Sequence, residues 1–188
     1  MSDIQARLDA LRDKLSEEAF LSNKGLSNEV GLYIFAYRPS DEIVVRSFVD
    51  SGPKPRAGGD TPFRIVRFDL YDIMLKICRE KRILDRIPQM EAQRGQDFIK
   101  KQIQKLAPPE AYVEHMKYEP HQRGDVVFIT GVGRVYPYMR SHNVLNNLQH
   151  VFDDIPVVLF YPGEYTGQSL TLFGKFFDDH YYRAFNII

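Results

Sequence analysis

The chain has 188 residues, 44% of them hydrophobic, a length and apolar content that suit one well-buried domain with no linker long enough to argue for two. Its 25 basic and 25 acidic side chains cancel, which argues against a protein whose main task is gripping a phosphate backbone. A single cysteine, Cys78, rules out an intramolecular disulfide framework and a cysteine-based zinc site.

Ile4, Leu8, Leu11 and Leu15 recur at helical spacing and form one apolar stripe on an amphipathic helix, which Ser22–Gly25 ends. Gly31–Tyr37 is a nearly continuous apolar run and predicts the first strand, stopped by Arg38-Pro39. Ser40-Asp41-Glu42 offers oxygens to the orphan backbone donors of a helix over Ile43–Asp50. The three prolines and three glycines of Ser51–Pro62 predict an exposed loop. Phe63–Phe68 follows as the second strand, and Asp69 caps a helix carrying Leu70, Ile73, Met74 and Ile77. Cys78 falls on its buried side. More helix continues through Ile83, Leu84 and Ile87 to a break at Pro88, then through Phe98, Ile99, Ile103 and Leu106 to Pro108-Pro109. A short helix over Tyr112–Met116 closes this insert, about 70–120. Val126–Ile129 is the third strand, and Val144, Leu145, Leu148, Val151 and Phe152 stripe the helix after it. Ile155–Phe160 and Tyr182–Ile187 are the fourth and fifth strands.

Strands alternating with helices imply an α/β fold. The expectation is a single domain over residues 1–188 with a mostly parallel sheet of about five strands. Helices cover both faces, and the helical insert lies between strands two and three. No apolar run approaches the roughly 20 residues that span a bilayer, and the amino terminus lacks the apolar core of a signal peptide. The chain therefore reads as cytoplasmic, without a membrane partner. Residues 79–106 hold eight basic and four acidic side chains, a pattern that a solvated helix face explains. Were nucleic acid a ligand, Arg79, Lys81, Arg82, Arg86, Lys100, Lys101 and Lys105 would be the residues to meet it.

Polar and flexible residues gather after the third and fourth strands, where open α/β sheets hold ligands or partners. TGVGR sits between a strand and a helix, yet it lacks the spacing and the lysine of a phosphate-cradling loop. Gly131 and Gly133 begin a dinucleotide fingerprint whose third position is Tyr136, and no acidic partner follows about 20 residues on. A tight turn with Pro137 in the first helical turn is the plainer account. An anion site built from Gly131, Gly133 and Arg134, with Arg140 nearby, remains an alternative.

No two of the five histidines, among them His142, His150 and His180, have the spacing of a helical zinc site. The adjacent carboxylates Asp153-Asp154 and Asp178-Asp179 suit turns better than a metal. No nucleophile with its base is legible, so neither catalysis nor a cofactor is expected. YPGEYTG sets turns that present Glu164 and Tyr165 at the rim of the sheet. Tyr136, Tyr138, Tyr161, Tyr165, Tyr181 and Tyr182 crowd the last third of the chain, and exposed tyrosines make binding surfaces. Asn146-Asn147, in an otherwise apolar helix, should find partners in a strand-end loop.

The segments TGVGRVYPYMRSHNVLNNL, PVVLFYPGEYTGQSLTLFG and DDHYYRAFNI closely resemble the BrxB family of BREX phage-defence systems, as does FLSNKGLSNEVGLYIFAYRP nearer the start. The resemblance implies a small non-enzymatic component working beside a methyltransferase, an ATPase and the phosphatase-like PglZ. On that footing the chain is expected to bind other BREX proteins, PglZ foremost. Tyr136, Arg140, His142, Glu164, Tyr165 and Gln168 form the expected contact rim, and a homodimer is a further option. A nucleotide- or phosphate-binding regulator and a nucleic-acid accessory are the alternatives within the same system.

Overall fold

A computed structural model describes residues 3–22, 31–55, 61–148, 151–178 and 184–188. His150, Asp179, His180, Tyr181 and Tyr182 lie outside the described residues, as do the centre of the proline- and glycine-rich loop and the helix stop beyond Ser22. In chain order, α1 (Asp3–Lys14) and α2 (Glu18–Leu21) precede β1 (Leu32–Tyr37), and a 3-10 turn over Pro39–Asp41 leads into α3 (Glu42–Ser51). β2 (Arg64–Asp69) is followed by α4 (Leu70–Glu80), α5 (Ile87–Arg94), α6 (Gln96–Leu106) and α7 (Pro109–Met116). After β3 (Asp125–Thr130) come the single turn α8 (Val132–Val135) and α9 (Ser141–Leu148). β4 (Val157–Tyr165), β5 (Leu170–Leu172), β6 (Phe176–Asp178) and β7 (Phe185–Asn186) complete the chain.

β2, β3, β4, β1 and β7 lie side by side in that order, every pair parallel. The end of β4 carries an antiparallel extension, β5 and then β6. The fold is thus α/β with a mostly parallel sheet and a helical insert between the second and third strands, as the sequence pattern predicts.

Alternation along the strands divides the core in two. Phe35, Val126, Phe128, Val158 and Phe160 pack with the apolar stripes of α1 and α3. Ile34, Val127, Ile129, Val157 and Leu159 pack with α4, α6, α7 and α9. β3 and β4 are covered on both faces, which is why their sequences are apolar without interruption. From β1 to β2 the chain crosses the sheet in one direction, and from β2 onward it returns in the other. Right-handed crossovers then place α3 and α4 on opposite faces, so a crevice opens between them at the strands' carboxyl ends.

Several local expectations are corrected. β4 does not stop at Phe160 but runs through Pro162 to Tyr165, held by β5, so YPGEYTG is largely strand. Pro162 is still tied to the neighbouring strand, because its carbonyl accepts the Phe173 amide at 2.9 Å. Pro137 lies beyond α8 and before α9, outside any helical turn. Pro88 opens α5 instead of breaking a helix, as its fixed φ favours at a first turn. Asp41 stands at the N-cap of α3 without a side-chain capping bond, whereas Asp69 caps α4 by accepting from the Tyr71 and Asp72 amides at 3.0 and 3.1 Å. Asn147 reaches back to the Asn143 carbonyl of its own helix at 2.8 Å, and Asn146 is exposed, so neither braces a strand-end loop.

Candidate functional site

The crevice at the carboxyl ends of β1, β2 and β3 encloses about 230 Å³ and is lined by Tyr37, Glu42, Arg46, Asp50, Arg67, Asp69, Thr130 and Arg134 among others. Its charges are satisfied internally. The Tyr37 hydroxyl donates to Glu42 at 2.6 Å, Glu42 also pairs with Arg46 at 2.9 Å, and Arg67 pairs with Asp50. Burial first, then the neighbouring Glu42, pushes the Tyr37 hydroxyl far above its ordinary pKa.

Asp69 anchors the opposite wall. Besides capping α4, it accepts from the Thr130 hydroxyl at 2.8 Å and from the Arg134 guanidinium at 2.7 Å. Burial opposes its charge, but Arg134, Thr130 and the Asp72 amide together hold its carboxyl below the usual aspartate range. Gly131 is required here for two reasons. Its φ of +79° favours glycine, and a Cβ would stand 2.4 Å from an Asp69 oxygen. Gly133 packs just as closely, since a Cβ there would meet the Phe173 ring at 2.9 Å.

Arg134 therefore lies across Tyr71, 5.1 Å from its ring centre, with its charge offset by Asp69 and, at 3.6 Å, by Asp72. The residues of the anion alternative are brought together, but as one structural cluster in which the guanidinium already has its carboxylates.

A different surface lies beside it. Val132, Tyr136, Met139, Arg140, Ser141, Tyr161, Leu172, Phe176 and Phe177 line a shallow groove holding about 20 Å³. Phe176 is 43% exposed and Phe177 63%. These are large apolar areas to leave in water at about 25 cal/mol per Å². The Tyr136 ring packs on Phe176 with centroids 4.7 Å apart, and Phe173 meets Phe176 edge-on at 6.5 Å. Arg140 is exposed on the groove wall and makes no ion pair among the described residues.

The expected contact residues divide accordingly. Tyr136 and Arg140 share the groove. Glu164 and Gln168 are exposed on the β4–β5 hairpin, Glu164 directly across from Thr171. Tyr165 is half-buried, and its hydroxyl donates to the Ala184 carbonyl at 2.6 Å, fastening the chain just before β7. His142 is buried on the inner face of α9 and does not stand on the rim. Phe176 and Phe177 escaped the sequence reading. The alternation of SLTLF, the turn residues after it and the second pair of aromatics were the available signal for a hairpin with an outward apolar face.

Comparison with known proteins gives a consistent result. Residues 66–187 match the family profile described as BREX protein BrxB. A protein of that description from Bacillus cereus (strain H3081.97) is 42% identical over 192 aligned residues, covering 100% of this chain and 99% of the relative. Another, from Escherichia coli O9:H4 (strain HS), is 27% identical over 186 residues, covering 98% of this chain and 92% of the relative. No solved structure matches the chain significantly.

Proposed function

The chain belongs to the BrxB family and is a component of a BREX phage-defence system, and we propose that within it the protein is a non-catalytic interaction subunit. It docks other BREX proteins in the cytoplasm, PglZ foremost, through the aromatic rim at the end of its sheet. The observation that carries this reading is the exposed pair Phe176 and Phe177, of which Phe176 is braced by the Tyr136 and Phe173 rings. A rigid aromatic platform loses little side-chain entropy on binding and supplies the kind of anchor that dominates protein interfaces. The polar residues near it support the same reading, because the Asp69 cluster uses its groups on one another and leaves no nucleophile paired with a base.

The test is a pull-down of the full chain against each of the other BREX components, with wild type beside a Phe176→Ser, Phe177→Ser variant. Retention of PglZ by the wild type and a loss of about 10-fold or more in the variant, at unchanged thermal stability, is the expected result. A wild-type chain that retains no component removes the proposal.

A further inference from the structure

β6 is an edge strand. Among the described residues it pairs with β5 alone, so one side of a three-residue strand offers its main-chain groups to another chain. Phe176 and Phe177 belong to that strand, and they line the shallow groove together with Tyr161 and Leu172 of the neighbouring strands. Within a mainly apolar and aromatic lining that also includes Ser141, Arg140 supplies an exposed guanidinium with no ion pair among the described residues.

These three features specify an occupant. An open edge selects an extended backbone, since main-chain hydrogen bonds give the affinity and alternate side chains the specificity. The shallow groove, holding about 20 Å³, suits the tip of one apolar side chain. A lone guanidinium beside it selects a carboxylate, with which it forms paired, charge-assisted hydrogen bonds. A second copy of this chain fits less well, because a two-fold pairing brings two like-charged grooves together.

We infer that β6 is completed by an extended segment of a partner protein that lays an apolar side chain against Phe176 and Tyr136 and sets an acidic side chain on Arg140. This rests on the interaction reading above and adds to it the conformation and chemistry of the partner segment.

Two measurements on the full chain test it, each with the BREX component that the pull-down retains. The first is amide hydrogen exchange of the chain alone and in complex. Exchange at Phe176–Asp178 should slow by about 10-fold or more, the signature of new main-chain bonds. The second is affinity with Arg140→Glu and Arg140→Lys. Charge reversal should weaken binding by at least about 10-fold, lysine should restore part of it, and both variants should melt like wild type. Protection confined to α3 or to the α5–α6 region, with β6 unchanged, overturns the strand addition while leaving the interaction reading intact. Full affinity in Arg140→Glu likewise overturns the carboxylate assignment. Slow exchange at β6 in the chain alone, together with a dimeric mass by light scattering, gives the edge to a second copy and overturns the partner segment. A chain that captures nothing removes both readings.

Discussion

An enclosed carboxylate such as Asp125 has no water to turn to when its charge or a partner is removed. It has no exposure, and it accepts from the Arg64 guanidinium at 2.7 and 2.6 Å, the Tyr118 hydroxyl at 3.0 Å and the Gln122 amide at 2.9 Å. Burial alone would raise its pKa, yet Arg64, Gln122 and Tyr118 more than offset that and hold it below the usual aspartate value. With the folded pKa depressed, the unfolded chain binds the proton more tightly. The stability from Asp125 is therefore complete above about pH 4, the ordinary aspartate value, and is lost as pH falls through the folded value. Asp69, depressed as well, adds to the same window. Asp125→Asn leaves donors facing donors and should cost about 2–3 kcal/mol at neutral pH. Circular-dichroism melts between pH 7 and about pH 3 should also show a shallower acid decline in the variant than in wild type, and parallel curves would contradict this account.

Among the described strands, β7 is the shortest. It is two residues long and pairs in register with Tyr33 and Ile34 only. The Tyr165 hydroxyl bond to Ala184 acts as its clasp. Tyr165→Phe should therefore cost about 1 kcal/mol, a few degrees of melting temperature, and should speed exchange at the amides of Phe185 and Asn186 while sparing β3 and β4. Unchanged exchange at β7 would show that the clasp does nothing. This placement also explains what the sequence could and could not disclose at the scale of elements. β3 and β4 were legible because burial on both faces forces unbroken apolar runs, and α1 and α4 because one-sided burial imposes helical spacing. The β5–β6 hairpin was less legible, since strands of three residues leave only the brief alternation of SLTLF to set it apart from a loop. Pro162 and Gly163 spell a turn in local terms, and only the tertiary setting reverses that. A Cβ at Gly163 would fall 2.1 Å from the Thr171 carbonyl, so the glycine is there to let β5 approach. Tyr136 and Arg140, expected at the rim from their position after a strand, both line the groove. His142 is buried in α9 and not on the rim, since a helical pattern of eight residues leaves its buried face ambiguous by one position.

Over the whole molecule the charge sums to zero, but its pairing is uneven. Along the sheet ends most arginines have carboxylates, as Arg46, Arg64, Arg67 and Arg134 do. On the insert, Arg79, Lys81, Arg82, Arg86, Lys101 and Lys105 are exposed and make no ion pair among the described residues. Such a surface attracts polyanions at low ionic strength whatever its purpose, because unpaired cations release counterions from a phosphate backbone. What separates a fortuitous attraction from a nucleic-acid site is its survival in salt and its dependence on particular residues. Six or so phosphate contacts unaided by base or shape readout lose on the order of 10³-fold in affinity between about 50 and 200 mM salt. A gel shift with a duplex of roughly 30 base pairs should accordingly show at most a diffuse complex at 50 mM salt and none at about 150 mM. Reversing Lys101 and Lys105 to Glu should leave capture of the protein partner by the β6 rim unchanged, since neither lysine lines the groove beside β6. A salt-resistant complex abolished by those reversals would instead make the insert a working nucleic-acid surface, and the molecule would join a protein at its sheet edge to a polyanion at its helices.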